Sequence, residues 1–556
     1  MASLRRFLTD RTGRAGRDLA FLTISCGAAF FMLLGRLPLM NPDEGRYAEI
    51  PREMLERGDF ITPHLNYVKY FEKPPLLYWL NALSFRIFGM NEFAARFFCA
   101  LCGLLTVLLV YHAGRKLFDR RTGLLGALVL GTAAGFVAQS RIVLTDIPLT
   151  LTITATFLFF LLAAQEDEPR KSLYWYLFYT AAALATLAKG LIGFVLPGGV
   201  AFFYMLFTGR WRLLRQMRLV TGILLFLLIC APWFVAVSLK NPNFPHFFFI
   251  REHFERFTTK IHHRYQPDWF FIPILFGCFL PWSLLLPETL RRFWRERRSR
   301  GAEKRLYLAI WAGLVFVFFS ISDSKLVPYI LPVFPALALL IGDRLSTALD
   351  DPGDTLRATA LATAALLVPA GTGVILYPHL AAKPGISTVA ATVLGSILVI
   401  QGISAYTAAR RRSVTLLVAG LTASAWLFCL VGPSLVFSSV IAHKNSKALA
   451  AVATRYAENG ATLANFGNYD PDLIFYSGRR VVQVTDPNEL EFGSKQGDQS
   501  AWFPGVEQFR QRWDSPEKII VLVMKSELDG FRQAMGSPGI VVGESDRKIL
   551  LANRQG

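Results

Sequence analysis

The sequence predicts an α-helical polytopic membrane protein that ends in a small α/β domain. Apolar blocks of about twenty residues, the length that crosses a bilayer core, recur through the first four-fifths of the chain. Arginines cluster in the short connections that follow alternate blocks, as they do on the cytoplasmic side of membrane proteins. After about Ser439 the composition turns to that of a soluble domain. Of the 556 residues, 53% are hydrophobic and only 18% charged, whereas soluble domains carry nearer a quarter.

The apolar blocks indicate about thirteen spanning helices, centred roughly on residues 28, 104, 131, 156, 180, 199, 228, 277, 314, 337, 366, 396 and 424. The first follows a basic N-terminus without a good cleavage site after it, so it reads as a retained helix that starts in the cytoplasm. The orienting clusters are Arg115-Lys116, Arg120-Arg121, Arg210 to Arg218, Arg291 to Arg305 and Arg410 to Arg412. Placing them in the cytoplasm puts 39–90, 140–147, 239–266 and 321–328 outside, the first and third as loop helices. The net charge of +19 then belongs to membrane orientation rather than to nucleic acid, which is not expected as a partner.

Two domains follow: a membrane domain over 1–438 and an outer α/β domain over 439–556. In the second, ALAAVATRYAENG reads as an amphipathic helix closed by glycine. ATLANFG, RVVQVT, KIIVLVM and GIVVGES read as strands, with the helical text VEQFRQRW among them. All six cysteines lie in apolar blocks. The C-x-x-C of Cys99 and Cys102 has no second ligand pair nearby and reads as helix packing.

The chemistry gathers in the outer segments. In MNPDEGRYAEIPREM, Asn41 suits a helix cap, Pro42 the first helical position and Glu44 the capping-box position. Asp43, Arg46 and Tyr47 then share one face. A carboxylate, a guanidinium and a phenol together suit a sugar phosphate: the carboxylate takes hydroxyls or an amine, and the guanidinium takes phosphate oxygens. Glu44 reads as a complement to the helix dipole. In FEKPPLLYWL the double proline holds Glu72 and Lys73 at a corner beside Tyr70, Tyr78 and Trp79. There Lys73 either meets a lipid phosphate or simply snorkels. Asp146 in LTDIP is either a helix cap or a second exposed carboxylate.

These segments, NPDEGRYAEIPREM, FEKPPLLYWL and LTDIP, with ATLAKGLIGFVLPG and REHFERF, resemble the bacterial aminoarabinose lipid A transferases, relatives of the protein O-mannosyltransferases in the GT-C fold. The resemblance covers most of the membrane domain and continues weakly into the C-terminal one. It implies an essential acidic residue at Asp43, a second at Asp146, and carrier-phosphate binding by Lys73. It also implies a bacterial inner-membrane enzyme whose active site faces the periplasm. Such an enzyme moves 4-amino-4-deoxy-L-arabinose from undecaprenyl phosphate to lipid A phosphates, giving resistance to polymyxin and cationic peptides. A monomer is expected.

Lys189, Lys325, Tyr329 and Arg256 lie at outer helix mouths and fit the same site as further phosphate or lipid contacts, with Arg251 and His262-His263 nearby. Glu72 and His253 could hold a zinc or manganese ion. No H-E-x-x-H spacing supports this, and His253 reads better as a hydrogen-bond donor; no cofactor is required. An acceptor oxygen would displace polyprenyl phosphate from the anomeric carbon in one step, with inversion. Protein O-mannosyl transfer or another lipid-sugar transfer is the alternative within the class. A lipid transporter or flippase is the alternative outside it, but transporters carry charges near the bilayer centre rather than at the mouths. A receptor would leave the Asp43–Lys73 constellation unexplained.

Overall fold

The computed structural model describes residues 13–255, 265–299, 302–351, 356–381, 385–442 and 445–554. Its contacts divide the chain into two compact units. Unit 1 is Met1–Leu33, Phe98–Ser238 and Pro242–Val436; unit 2 is Leu34–Phe97, Leu239–Asn241 and Phe437–Gly556. Packing thus joins the first outer segment to the C-terminal domain, a division that the boundary at 438/439 does not express.

Unit 1 is helical. Among the described residues, eight helices are long and apolar enough to cross a membrane, and ten if two bent pairs each count as one span. The pairs are Arg120–Gly131 with Ala134–Ser140, bent by 65°, and Asp268–Cys278 with Trp282–Glu296, bent by 108°. Each of the thirteen expected centres lies on a helix, but the count of thirteen is not reached. Ala15–Phe31, Lys171–Lys189 and Ile192–Thr208 fall outside it. For the last of these the reason is local: Gly190 (φ +82°) ends the preceding helix and Gly209 (φ +68°) ends this one, so that the helix between them has only 17 residues.

Small residues set the closest helix approaches. A Cβ on Gly371 would stand 2.6 Å from the carbonyl oxygen of Gly395, and one on Gly342 would stand 2.6 Å from the amide nitrogen of Gly126. Between membrane helices such contacts replace the hydrophobic driving force that lipid removes.

Two of the arginines used for orientation, Arg120 and Arg121, are buried. Arg120 donates through Nε and Nη2 to the two oxygens of Asp18, both at 2.6 Å, and the Tyr111 hydroxyl donates to the same carboxylate at 2.7 Å. Removing one partner of a buried pair strands the other charge, so Asp18→Ala should cost about 3 kcal/mol or more. A thermal midpoint in detergent equal to the parent's would show that the pair contributes nothing.

Unit 2 combines an outer-segment layer with a five-stranded sheet. The outer-segment layer contains the helix Asp43–Arg57, the hairpin β1 (His64–Leu65) and β2 (Val68–Lys69), and the helix Leu76–Phe88. Asn66 and Tyr67 turn the hairpin with φ of +53° and +62°, the conformation that a two-residue turn requires. The sheet is β3 (Thr462–Phe466), β4 (Val482–Val484), β5 (Ile519–Met524), β6 (Ile540–Glu544) and β7 (Lys548–Ala552), in the order β4-β3-β5-β7-β6. The first three are parallel, with Thr462 opposite Ile519, and β7 pairs antiparallel with both β5 and β6. Phe466, Phe509, Trp513 and Phe531 fill the core beside the sheet.

The four expected strands form, as do the helices Lys447–Glu458 and Val506–Asp514. β7 was not anticipated. Its KILLA text is buried at every position, and such a short apolar run has no periodicity by which to recognise it.

Side chains tie the outer segment to the sheet. The Asn66 amide nitrogen donates to the Val481 carbonyl at 2.9 Å, and the Val481 amide returns a bond to the Asn66 oxygen at 3.0 Å. Phe71 meets Phe492 edge-on at 5.5 Å. A Cβ on Gly45 would stand 2.2 Å from a carboxylate oxygen of Asp472, so the glycine of the NPDEGRY segment lets the helix Asp43–Arg57 approach the helix Pro471–Ser477.

Candidate active site

The helix Asp43–Arg57 begins differently from the sequence expectation. Pro42 occupies the cap position without a side-chain cap bond, and Asn41 donates to Asp470 at 2.6 Å instead. Glu44 does accept from the Met40 amide at 2.8 Å, but it is buried and gripped by Arg96, whose Nε and Nη2 donate at 2.8 and 2.6 Å. Arg96 also donates to the carbonyls of Leu34, Leu37 and Pro38. Glu44 therefore anchors the entry to the helix. Its role is structural, through a buried ion pair more than through the helix dipole.

With Glu44 turned inward, Asp43 faces solvent, its side chain 46% exposed and 3.4 Å from Nη1 of Arg46. Arg46 is buried, lies against the Tyr47 ring at 5.7 Å, and places Nη2 2.5 Å from a carboxylate oxygen of Glu489. Tyr47 stacks on Tyr78 at 6.2 Å. The hydroxyls of Tyr70 and Tyr78 and the Nε of Arg46 are buried, with no hydrogen-bond partner among the described residues. Buried polar atoms without partners are costly, and three around one ion pair define a polar recess built to receive hydrogen-bonding groups. Burial works against the charge on Arg46, and Glu489, Tyr70, Tyr47 and Asp43 outweigh it and raise its pKa. Burial also pushes the Glu489 carboxyl up to about 7, against the pull of Arg46 and with repulsion from Glu72 adding to the rise.

Glu489 is the functional candidate that the sequence reading missed. It stands on the short turn Asn488–Leu490, more than four hundred residues from Arg46 in the chain. The turn is held where the following helix, Glu491–Ser494, meets the hairpin: a Cβ on Gly493 would lie 2.5 Å from the Lys69 carbonyl. The EKPP corner, half-buried, continues from the same hairpin, and the Lys73 ammonium donates to the Glu72 carbonyl at 2.9 Å. Lys73→Ala should raise the KM for a polyprenyl-phosphate donor while changing stability by less than roughly 0.5 kcal/mol. A donor KM equal to the parent's, in a folded variant, would leave Lys73 as an interfacial anchor.

The remaining candidates lie in unit 1. Asp146 opens the helix Asp146–Ala163 without capping it and forms a buried ion pair with Lys189, the last residue of Lys171–Lys189. The Lys189 ammonium also stands 4.1 Å from the Tyr329 ring centroid. Asp146, Lys189 and Tyr329, read separately from three loops, are thus one cluster. Lys325 is buried, donates to the Gln266 carbonyl at 2.8 Å and lies 3.6 Å from Asp268, which makes it a brace for that turn more than an open phosphate ligand. Arg256, His262-His263 and the His253 side chain lie outside the described residues. Among the described residues no three His, Cys, Asp or Glu side chains gather as a metal site. Among the described residues no cysteine is in a disulfide.

A polytopic helical unit, an outer-segment helix bearing an exposed carboxylate beside a buried arginine, and a lysine–aspartate pair at helix mouths define a membrane glycosyltransferase of the GT-C class. The chain matches the family model for dolichyl-phosphate-mannose-protein mannosyltransferases over residues 38–248 and that for the aminoarabinose transferase C-terminal domain over 449–553. The undecaprenyl phosphate-α-4-amino-4-deoxy-L-arabinose arabinosyl transferase of Erwinia tasmaniensis is 33% identical over 88% of this chain and 89% of its own. The Pseudomonas aeruginosa enzyme of the same name is 37% identical over 59% of each chain. The crystal structure of ArnT from Cupriavidus metallidurans bound to undecaprenyl phosphate superposes with a TM-score of 0.86 at 29% identity, covering 98% of this chain and 99% of that one. The oligosaccharyltransferase of Archaeoglobus fulgidus, at 15% identity and a TM-score of 0.53, shares the fold. This chain belongs to the undecaprenyl-phosphate aminoarabinose arabinosyl transferase family.

Proposed function

We propose that the protein transfers 4-amino-4-deoxy-L-arabinose from undecaprenyl phosphate to a phosphate of lipid A at the periplasmic face of a bacterial inner membrane, acting as a monomer. The observation that carries this reading is the buried Arg46–Glu489 pair beside exposed Asp43. It supplies two carboxylates for a sugar ammonium and its hydroxyls, with the Tyr70 and Tyr78 hydroxyls, which have no partner among the described residues, around them. The relatives' names and the lipid-bound neighbour support the donor.

In this scheme an acceptor phosphate oxygen attacks the anomeric carbon. The bond from that carbon to the carrier phosphate oxygen breaks, and undecaprenyl phosphate leaves with the electron pair, inverting the centre. The attacking oxygen is already anionic at neutral pH and the leaving oxygen departs as part of a phosphate anion, so neither needs a proton moved. What the protein must supply is fixed positive charge for the leaving phosphate. Lys73 is assigned that role; within unit 1, Lys189 is a separate cation, held by Asp146 over Tyr329. A divalent ion held at Glu72 would add charge to the same end without being required, so transfer should survive chelation. The membrane consequence is fewer net negative charges on lipid A and resistance to polymyxin and other cationic peptides.

Mass spectrometry of lipid A from cells with and without the protein tests the whole reading. The expected result is an added aminopentose on a lipid A phosphate only when the protein is present, and unmodified lipid A in both would refute it. The match to the O-mannosyltransferase model favours one second reading, transfer to a protein hydroxyl, in which Asp43 acts as base.

A further inference from the structure

Unit 2 carries a second concentration of positive charge at the other end of the same helix. Asp43 and Arg57 bound 15 residues, which at 1.5 Å per residue separates them by roughly 20 Å. A cavity of about 790 Å³ opens there, lined by Arg57, Gly58, Asp59, Phe60, Ile61 and Lys240. Gly58 takes the left-handed conformation (φ +66°) that ends the helix and turns the chain around the cavity.

The charges in it are not balanced. Asp59 is already committed: one oxygen accepts from the amides of Ile61 and Thr62 at 3.0 and 3.1 Å, and the other accepts from Lys240 at 2.7 Å. It positions the lysine, whose side chain stays 52% exposed. Arg57 is exposed, and the one carboxylate seen to act on it among the described residues, Glu56, is itself bonded to Arg52 and Tyr67. It lies 6.0 Å from the Tyr67 ring centroid, and Arg480 lies 5.9 Å from the same centroid. The Nε of Arg480 is buried without a hydrogen-bond partner among the described residues. Burial pulls Arg480 down to about 10, with Glu53 opposing the fall and Arg57 adding to it. Burial and then Arg57 hold His64 near 4, so it adds no charge of its own. An anion in the cavity would relieve this crowding.

The rim says what kind of anion. Phe60 and Ile61 are each 38% exposed, and the Trp79 indole donates to the Phe60 carbonyl at 2.9 Å. The helix Leu76–Phe88 continues this surface with exposed Leu83, Ile87 and Phe88. An apolar, aromatic rim beside paired cations is the setting of a phosphate head with acyl chains below it. We propose that the Arg57–Lys240 cavity seats the phosphate headgroup of an anionic membrane phospholipid, at a site distinct from the reacting sugar.

The test uses the full-length protein in neutral detergent, with phosphatidylglycerol and phosphatidylcholine as probes and native mass spectrometry to count bound lipid. The parent should bind phosphatidylglycerol over phosphatidylcholine. The double variant Arg57→Gln, Lys240→Gln should bind phosphatidylglycerol about thirtyfold more weakly, the effect of two surface cations on an anionic lipid. Arg86→Gln, which removes an exposed cation outside the cavity, should bind as the parent does. Equal binding by the double variant and the parent would overturn the proposal. So would displacement of the lipid by millimolar inorganic phosphate, which would mark a site for a free ion. A double variant that keeps phosphatidylglycerol but shows a higher KM for a diphosphorylated glycolipid acceptor would also overturn it, by making the cavity part of the acceptor site. Both substitutions sit at exposed side chains and should leave the melting temperature unchanged.

Discussion

Asp43→Asn should lower transfer by roughly a hundredfold or more, the largest single loss expected at the site. The substitution keeps shape and one hydrogen-bonding oxygen but removes the charge beside Arg46. With an aminosugar donor that charge pairs with the ammonium, and a charge-assisted bond is roughly twice as strong as a neutral one. With a hydroxyl acceptor it would take a proton, a role contributing about 10²- to 10⁴-fold. Comparing donors in the variant separates the two. If Asp43 holds the amine, a donor with hydroxyl in place of the amine loses its disadvantage in Asp43→Asn. If Asp43 is a base, both donors fall by a similar factor. Full activity with either donor would reduce Asp43 to a partner of the helix dipole.

Glu489→Gln should be nearly as damaging, and its pH dependence gives it a second signature. The carboxyl has been pushed up to about 7, so in the free protein it passes from neutral to ionised as pH rises through that value. Only the ionised form attracts an ammonium. The kcat/KM for the aminosugar donor should therefore rise with pH through about 7, and Glu489→Gln should flatten that rise while lowering the plateau about tenfold. The same shift weighs on stability in the opposite sense. The folded carboxyl holds its proton to higher pH than the unfolded one, so stability contributed by neutral Glu489 is lost as pH rises through 7. Bound donor offsets that loss by pairing with the ionised form. A variant with the parent's pH profile would place the titrating group elsewhere.

The position of Glu489 shows where reading the sequence stops. Asp43, Arg46 and Tyr47 are three and four residues apart on one helix, and helical geometry alone puts them together. Lys73 is confined by the two prolines that follow it. These local rules need no tertiary information, and the motif that carries the family resemblance is built from them. Asp146, Lys189 and Tyr329 could each be named from helix mouths, but the side chain that pairs with another could not. DPNELEF contains nothing to distinguish Glu489 from the other glutamates around it.

Local pattern also misassigned roles at the helix start. Asn41 fits a cap, yet Asp470 of the C-terminal domain takes its amide, because a long-range carboxylate competes for the same donor. Glu44 fits a dipole partner, yet burial with Arg96 decides its role. The membrane class, the C-terminal α/β domain and four of its five sheet strands are legible in the sequence, because apolar length, loop charge and alternation act over neighbouring residues. The tertiary structure alone decided that residues 34–97 pack with the C-terminal domain, that β7 sits between β5 and β6, and that Glu489 meets Arg46. Those outcomes depend on contacts between segments hundreds of residues apart, whose energy lies in burial and charge pairing that no local spacing records.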